Sequence, residues 1–121
     1  MTIFSRWQVQ YLTVSGSYGS HVANGSNVIK GYGTYAWKNN TGRTVKVYYK
    51  LSTSKWLDDG MPYGAVLFTG TTATARDSSN TWSTTLYETT VSNYRDVPNG
   101  HYFGLFSDHD AYNKLTLYIS E

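Results

Sequence analysis

Gly31-Tyr-Gly-Thr-Tyr-Ala-Trp-Lys-Asn-Asn-Thr-Gly-Arg-Thr-Val-Lys-Val-Tyr-Tyr-Lys-Leu51 carries the clearest structural pattern in the chain. Its second half alternates strictly, with Val45, Val47, Tyr49 and Leu51 on one face and Thr44, Lys46, Tyr48 and Lys50 on the other. Side chains along a strand point to opposite sides with period two, so one face enters a core while the other meets water. The first half is aromatic: Tyr35 and Trp37 share a face and Tyr32 lies on the other. Between the halves, Lys38–Arg43 supplies two Asn and a Gly, residues that tolerate the positive φ of tight turns. The stretch predicts a β-hairpin.

Upstream, Ile3–Val14 reads as a strand in which Trp7, Val9 and Tyr11 oppose Gln8 and Gln10, and Ser15–Ser20 as a turn or sheet crossing. Asn24-Gly25 between β-prone segments predicts a type I′ turn, whose central residues both need φ > 0. From Val28 the chain runs toward Trp37 through Gly31 and Gly33, where glycine in a strand marks a bulge or a close approach. Downstream, Ser52–Gly64 reads as a long loop and Ala65–Thr69 as a buried central strand. Gly70–Arg76 is a Thr-rich edge continuation, Asp77–Asn80 a turn, and Thr81–Val91 one further strand. Ser92–Gly100 leads into the turn Pro98-Asn99-Gly100. His101–Phe106 is a strand and Ser107–Asn113 a polar loop. Lys114–Ser120 closes the chain with Leu115, Leu117 and Ile119 inward and Thr116 and Tyr118 outward. No stretch holds a 3.6-residue period.

These elements predict an all-β protein: a single-domain antiparallel β-sandwich over residues 1–121, jelly-roll-like, with about eight strands and no substantial helix. The first and last strands, each one-sided, are expected to pair. Length and composition agree. A chain of 121 residues can bury a core without staples, and its hydrophobic fraction of 40% is that of a globular protein. The apolar residues are biased toward aromatics, with twelve Tyr and four Trp, while Leu and Ala are few; that bias suits a pleated surface.

Net charge is +2 and charged residues are 15%, a weak field that excludes steering of nucleic acid or of an anionic membrane. No apolar run reaches the roughly 18 residues of a spanning helix. Met1–Arg6 has no apolar signal-peptide core. The low charge and the Tyr/Ser/Thr/Asn/Gly-rich composition point to a secreted protein in mature form. Cysteine is absent, which leaves the compartment open.

Chemistry-bearing motifs are sparse. The three histidines are His21, His101 and His109, and none sits in a recognisable catalytic pattern. In Ser107-Asp108-His109-Asp110, Asp108 and Asp110 form a fragment of the kind that binds Ca2+, without the spacing of an EF-hand. The same residues also suit a solvated turn in which Asp caps the backbone. Asp58 and Asp59 precede a glycine as in a turn, and a partner carboxylate such as Glu88 is not selected by any spacing. With no Cys, phosphate loop, nucleophile elbow or metal-hydrolase motif, the chain reads as a non-enzyme. Thr81–Val91 is long enough for a membrane hairpin strand, but neither of its faces is apolar throughout. Asn24-Gly25-Ser26 and Asn39-Asn40-Thr41 match the N-glycosylation pattern, and both are expected in accessible turns.

The surplus of aromatics is the better guide. Val9, Val45, Val47, Leu67, Phe68, Leu105, Leu117 and Ile119 already supply a core. Tyr18, Tyr32, Tyr48, Trp56, Tyr63, Tyr94, Tyr112 and Tyr118 fall outward or in loops. Tyr packs on sheet faces with its hydroxyl wet, so part of this set is ordinary surface. The remainder offers ring faces to the C–H side of a sugar, or contact area to another partner. The expected site is Tyr32, Tyr48, Trp56, Tyr63, Tyr94 and Tyr112, binding a carbohydrate or cell-surface ligand. The alternatives are a secreted toxin or antibacterial protein acting at a cell surface, and a small hydrolase.

Overall fold

A computed structural model describes residues 9–12, 15–16, 22–55, 64–73, 80–108 and 111–120. The described residues form ten strands: β1 (Val9–Tyr11), β2 (Ser15–Gly16), β3 (Val22–Lys30), β4 (Gly33–Lys38), β5 (Val45–Lys55), β6 (Gly64–Gly70), β7 (Asn80–Tyr87), β8 (Thr90–Val97), β9 (Tyr102–Ser107) and β10 (Ala111–Ser120). Eight have six residues or more; β1 and β2 are short. They build two five-stranded sheets, ordered β1-β4-β9-β6-β7 and β2-β3-β10-β5-β8. All pairings are antiparallel except β1 with β4. The architecture is the expected all-β sandwich, without helix among the described residues.

The core lies between the inner faces, and the period-two pattern builds it. On β5, Val45, Val47, Tyr49 and Leu51 are buried while Tyr48 and Lys50 are exposed. On β10, Leu115, Leu117 and Ile119 are buried and Lys114, Thr116 and Tyr118 exposed. From the other sheet, Trp37, Ala65, Leu67, Phe103 and Leu105 complete the cluster. Ala65–Thr69 is, as expected, a buried strand with a neighbour on each side. Phe68 is also buried, but on the opposite face of its sheet, lying over Gly104, whose missing Cβ makes room for the ring.

Several expectations from the sequence are overturned. The arms of Gly31–Leu51 are strands, yet they do not pair: β4 and β5 belong to different sheets. Lys38–Arg43 is a corner rather than a hairpin turn, and buried Asn39 makes it one. Its Nδ2 donates to the carbonyls of Arg43 (2.7 Å) and Val97 (2.9 Å), while its Oδ1 accepts from the Thr41 N–H (3.0 Å) and Oγ1 (2.7 Å). Its main chain bonds His101 O and Gly100 N. This docks the corner on the Pro98-Asn99-Gly100 turn, itself a sheet crossing from β8 to β9, where Gly100 has φ 83° as the turn chemistry predicted. The Asn39 sequon is therefore inaccessible, contrary to the expectation.

Asn24-Gly25 is not a turn either. It lies inside β3, which pairs with β10 from Val22↔Ser120 to Lys30↔Tyr112; nine rungs of ladder outweigh a local turn preference. The last strand does not pair with the first: its neighbours are β3 and β5, and β1 sits in the other sheet. Thr81–Val91 is two strands rather than one. The chain crosses sheets at Glu88, a non-glycine residue at φ 46°, so β7 and β8 are the edges of opposite sheets. Ser92–Val97, read as a lead-in to a turn, is strand β8, and Ala111–Asn113, read as loop, begins β10.

Candidate functional site

The outer faces of the two sheets differ. On β1-β4-β9-β6-β7 the central outward positions Ala36, Phe68 and Phe106 are buried, while Lys38 and, on edge strand β7, Thr81, Ser83, Thr85 and Tyr87 are exposed. On β2-β3-β10-β5-β8 the outward positions are exposed or half-exposed at every described side chain. This second face is open at all of its described side chains, and it carries aromatics.

Register creates the site. Tyr48 on β5 stands opposite Tyr118 on β10 and Tyr94 on β8. The rings form a rung across three strands, with centroids 5.5 Å apart for Tyr48–Tyr94 and 5.9 Å for Tyr48–Tyr118, tilted by 47° and 71°. Exposures are 43% for Tyr48, 45% for Tyr94 and 46% for Tyr118, so each ring leaves much of itself in water. Such cross-strand aromatic pairs stabilise a sheet by about 0.2–1 kcal/mol each, but that gain does not require three of them on one rung. The rung borders a shallow depression of about 350 Å³ whose walls include Lys50, Ser92, Asn93 and Thr116. Lys46 holds its Nζ 4.5 Å from the Tyr94 ring centroid, a cation–π contact that positions the ammonium without neutralising it.

Of the other aromatic site candidates, Tyr112 is half-buried on the same face, six residues along β10 from Tyr118 and with Lys30 Nζ 5.6 Å from its ring. Tyr32 is exposed at the β3–β4 crossing, beside Phe106 at 6.4 Å, away from the rung. Trp56 and Tyr63 lie outside the described residues, as do Tyr18, Asp58, Asp59, His21 and His109. Tyr118 was recognisable as outward but not as a member of the site. Strand alternation shows which way a ring faces, and no local signal shows that β10 and β8 flank β5.

Asp108 serves the backbone. Its Oδ2 accepts from Gly64 N–H at 3.3 Å, its N–H donates to Gly64 O, and its carbonyl accepts from Ala111 N–H. Asp110, its expected calcium partner, lies outside the described residues. Among the described residues, no group of three or more His, Cys, Asp or Glu side chains is placed to share a metal, and no helix is long and apolar enough to cross a membrane.

A second concavity runs along the side where edge strands β7 and β8 face each other, lined by Tyr49, Trp82, Leu86, Val91 and Arg95 among others. The Arg95 guanidinium lies 4.5 Å from the Trp82 ring. An inward-facing charge on an edge strand discourages pairing with another chain. Behind it, burial raises the Tyr49 phenol above its ordinary value, and the nearby Arg95 charge opposes that shift. The fold therefore prefers the neutral phenol. This contribution to stability is complete below the ordinary tyrosine value and lost as pH rises through the raised one. Melting temperatures measured from about pH 8 to pH 11 are expected to fall more steeply in the wild type than in Tyr49→Phe; equal slopes would contradict this reading.

No family model matches the chain, and no curated protein does. Among solved structures, the chain is similar to PliG of Aeromonas hydrophila, a periplasmic lysozyme inhibitor of g-type lysozyme. The TM-score is 0.43 and the identity 12%, over 93% of this chain and 96% of that one. It is also similar to part of CapF of Staphylococcus aureus, a capsular polysaccharide assembling protein, with a TM-score of 0.37 and 12% identity; 91% of this chain aligns with 30% of that chain. At this level of similarity, neither likeness transfers a residue role or an activity.

Proposed function

We propose that this protein is a non-enzymatic binding module acting outside the cytoplasm, and that it recognises a carbohydrate of a cell surface through Tyr48, Tyr94 and Tyr118. The observation that carries the reading is the rung itself: three half-exposed rings in contact, on the open face of the sandwich. Contiguous exposed patches mark interaction sites more often than scattered residues do. Ring faces take the C–H side of a pyranose, while Ser92 and Thr116 in the adjoining depression offer hydroxyl partners to its OH groups.

Glycan-array binding tests the proposal. Tyr48→Ala, which removes the central ring, is expected to weaken binding at least about tenfold, the equivalent of 1.4 kcal/mol. Tyr32→Ala, equally exposed but off the rung, is expected to leave binding unchanged, and both variants to keep the wild-type circular dichroism spectrum. Equal loss in the two variants, or none in either, would refute the site.

A further inference from the structure

The ligand-facing surface is far more basic than the protein as a whole. The chain has ten Lys and Arg against eight Asp and Glu. On the outer face of β3, β10, β5 and β8, the described residues include Lys30, Lys46, Lys50 and Lys114 but one carboxylate, Asp96. Register places two of these lysines with purpose. Lys46 and Lys50 precede and follow Tyr48 on the same face of β5, one on each side of the rung; the Lys46 ammonium lies by the Tyr94 ring, and Asp96 stands opposite Lys46 in the register. A chain molecule laid across the strands along Tyr118, Tyr48 and Tyr94 would meet rings beneath it and a cation along either flank.

Taking the tyrosine rung as the binding site proposed above, we infer that its ligand is an acidic polysaccharide, a chain of sugar rings bearing carboxylate or sulfate groups. The ring-to-ring steps of 5.5 and 5.9 Å are close to the strand spacing, and they suit successive sugar units, one over each ring. Side groups that project from such a chain reach Lys46 on one side and Lys50 on the other. Single-stranded nucleic acid is the competing polyanion. Its successive bases stack on aromatic ring faces, and rings tilted by 47° and 71° to one another do not offer the common plane that a run of stacked bases follows.

The experiment measures binding of the full chain to four probes: polygalacturonate for carboxylate, heparin for sulfate, neutral dextran and oligo(dT). Each is titrated at low and high salt against wild type, Tyr48→Ala and Lys46→Gln/Lys50→Gln, with circular dichroism confirming that the variants fold. The expected result is binding to polygalacturonate or heparin that weakens with salt. The double lysine variant should weaken it about five- to tenfold, Tyr48→Ala should weaken it too, and dextran should bind at least about tenfold less tightly than the acidic polymer. Dextran bound as tightly as the acidic polymers, sensitive to Tyr48→Ala but not to the lysine variant, would overturn the acidic ligand and leave the tyrosine site standing. Acidic-polymer binding indifferent to both variants would place it elsewhere and overturn the inference, as would tightest binding to oligo(dT). No binding to any probe would overturn the inference and count against the site as well.

Discussion

Gly64→Ala is expected to prevent formation of the native fold. Gly64 opens β6 opposite Tyr87, and a Cβ placed on it would overlap the Leu86 carbonyl oxygen and lie 2.8 Å from the Leu86 carbonyl carbon and 3.0 Å from Tyr87 Cα. These are backbone atoms of the paired strand, so no rotamer change relieves the overlap. The same residue donates its N–H to Asp108 Oδ2 and its carbonyl accepts Asp108 N–H. Displacing it to admit a methyl group therefore loosens β6 from both β7 and the β9–β10 crossing. Glycine at a close approach of two backbones is required for space rather than for flexibility. Gly42→Ala is the comparison: at φ 89° it has nothing within 4 Å of the would-be Cβ, so only conformational strain of about 1–2 kcal/mol is expected. Thermal unfolding followed by circular dichroism separates the two. A Gly64→Ala protein melting as high as Gly42→Ala would show that β6 and β7 are not so closely apposed.

Asn39→Ala is expected to destabilise the protein by about 3 kcal/mol, because it leaves the Val97 and Arg43 carbonyls without their side-chain donor and removes the acceptor of Thr41. In a domain of this size that corresponds to a melting temperature lower by very roughly 10 °C. Asn39→Asp discriminates the cause. It keeps the volume and an acceptor for Thr41, yet sets a carboxylate against two carbonyl oxygens in a buried site, so it should be at least as damaging as the alanine. Denaturant unfolding of both variants provides the check; a harmless Asn39→Asp would mean that donation to Val97 and Arg43 is not what holds the corner.

Asn39 also shows where local reading stopped. Asn, Gly and Thr between two β-prone arms are the chemistry of a hairpin turn, and also the chemistry of this corner. The difference lies in a bond to Val97, 58 residues away. Asn24-Gly25 failed for a related reason: its turn preference is a local free energy of modest size, and β3 gains nine rungs of pairing with β10 by ignoring it. Glu88 was invisible because nothing in Thr81–Val91 marks a residue that must take positive φ. Where the period-two pattern was strong, as in Val45–Leu51 and Leu115–Ile119, the buried side was identified correctly.

The sequence by itself determined that this is a β protein and, where alternation was clear as in Val45–Leu51 and Leu115–Ile119, which side of the backbone a residue occupies, because facing follows from the geometry of a single extended chain. Tertiary structure alone decided that β10, β5 and β8 are neighbours, that one sheet buries the middle of its outer face while the other leaves its own open, and hence that Tyr118, Tyr48 and Tyr94 share a rung; that Lys46 and Lys50 flank Tyr48 was already in the alternation of β5. The hydrogen-bonding edges of all strands are chemically alike. Which edges meet is settled by the packing of two sheets and by corners such as the one at Asn39, so a surface assembled across strands exists only once the whole sandwich has closed.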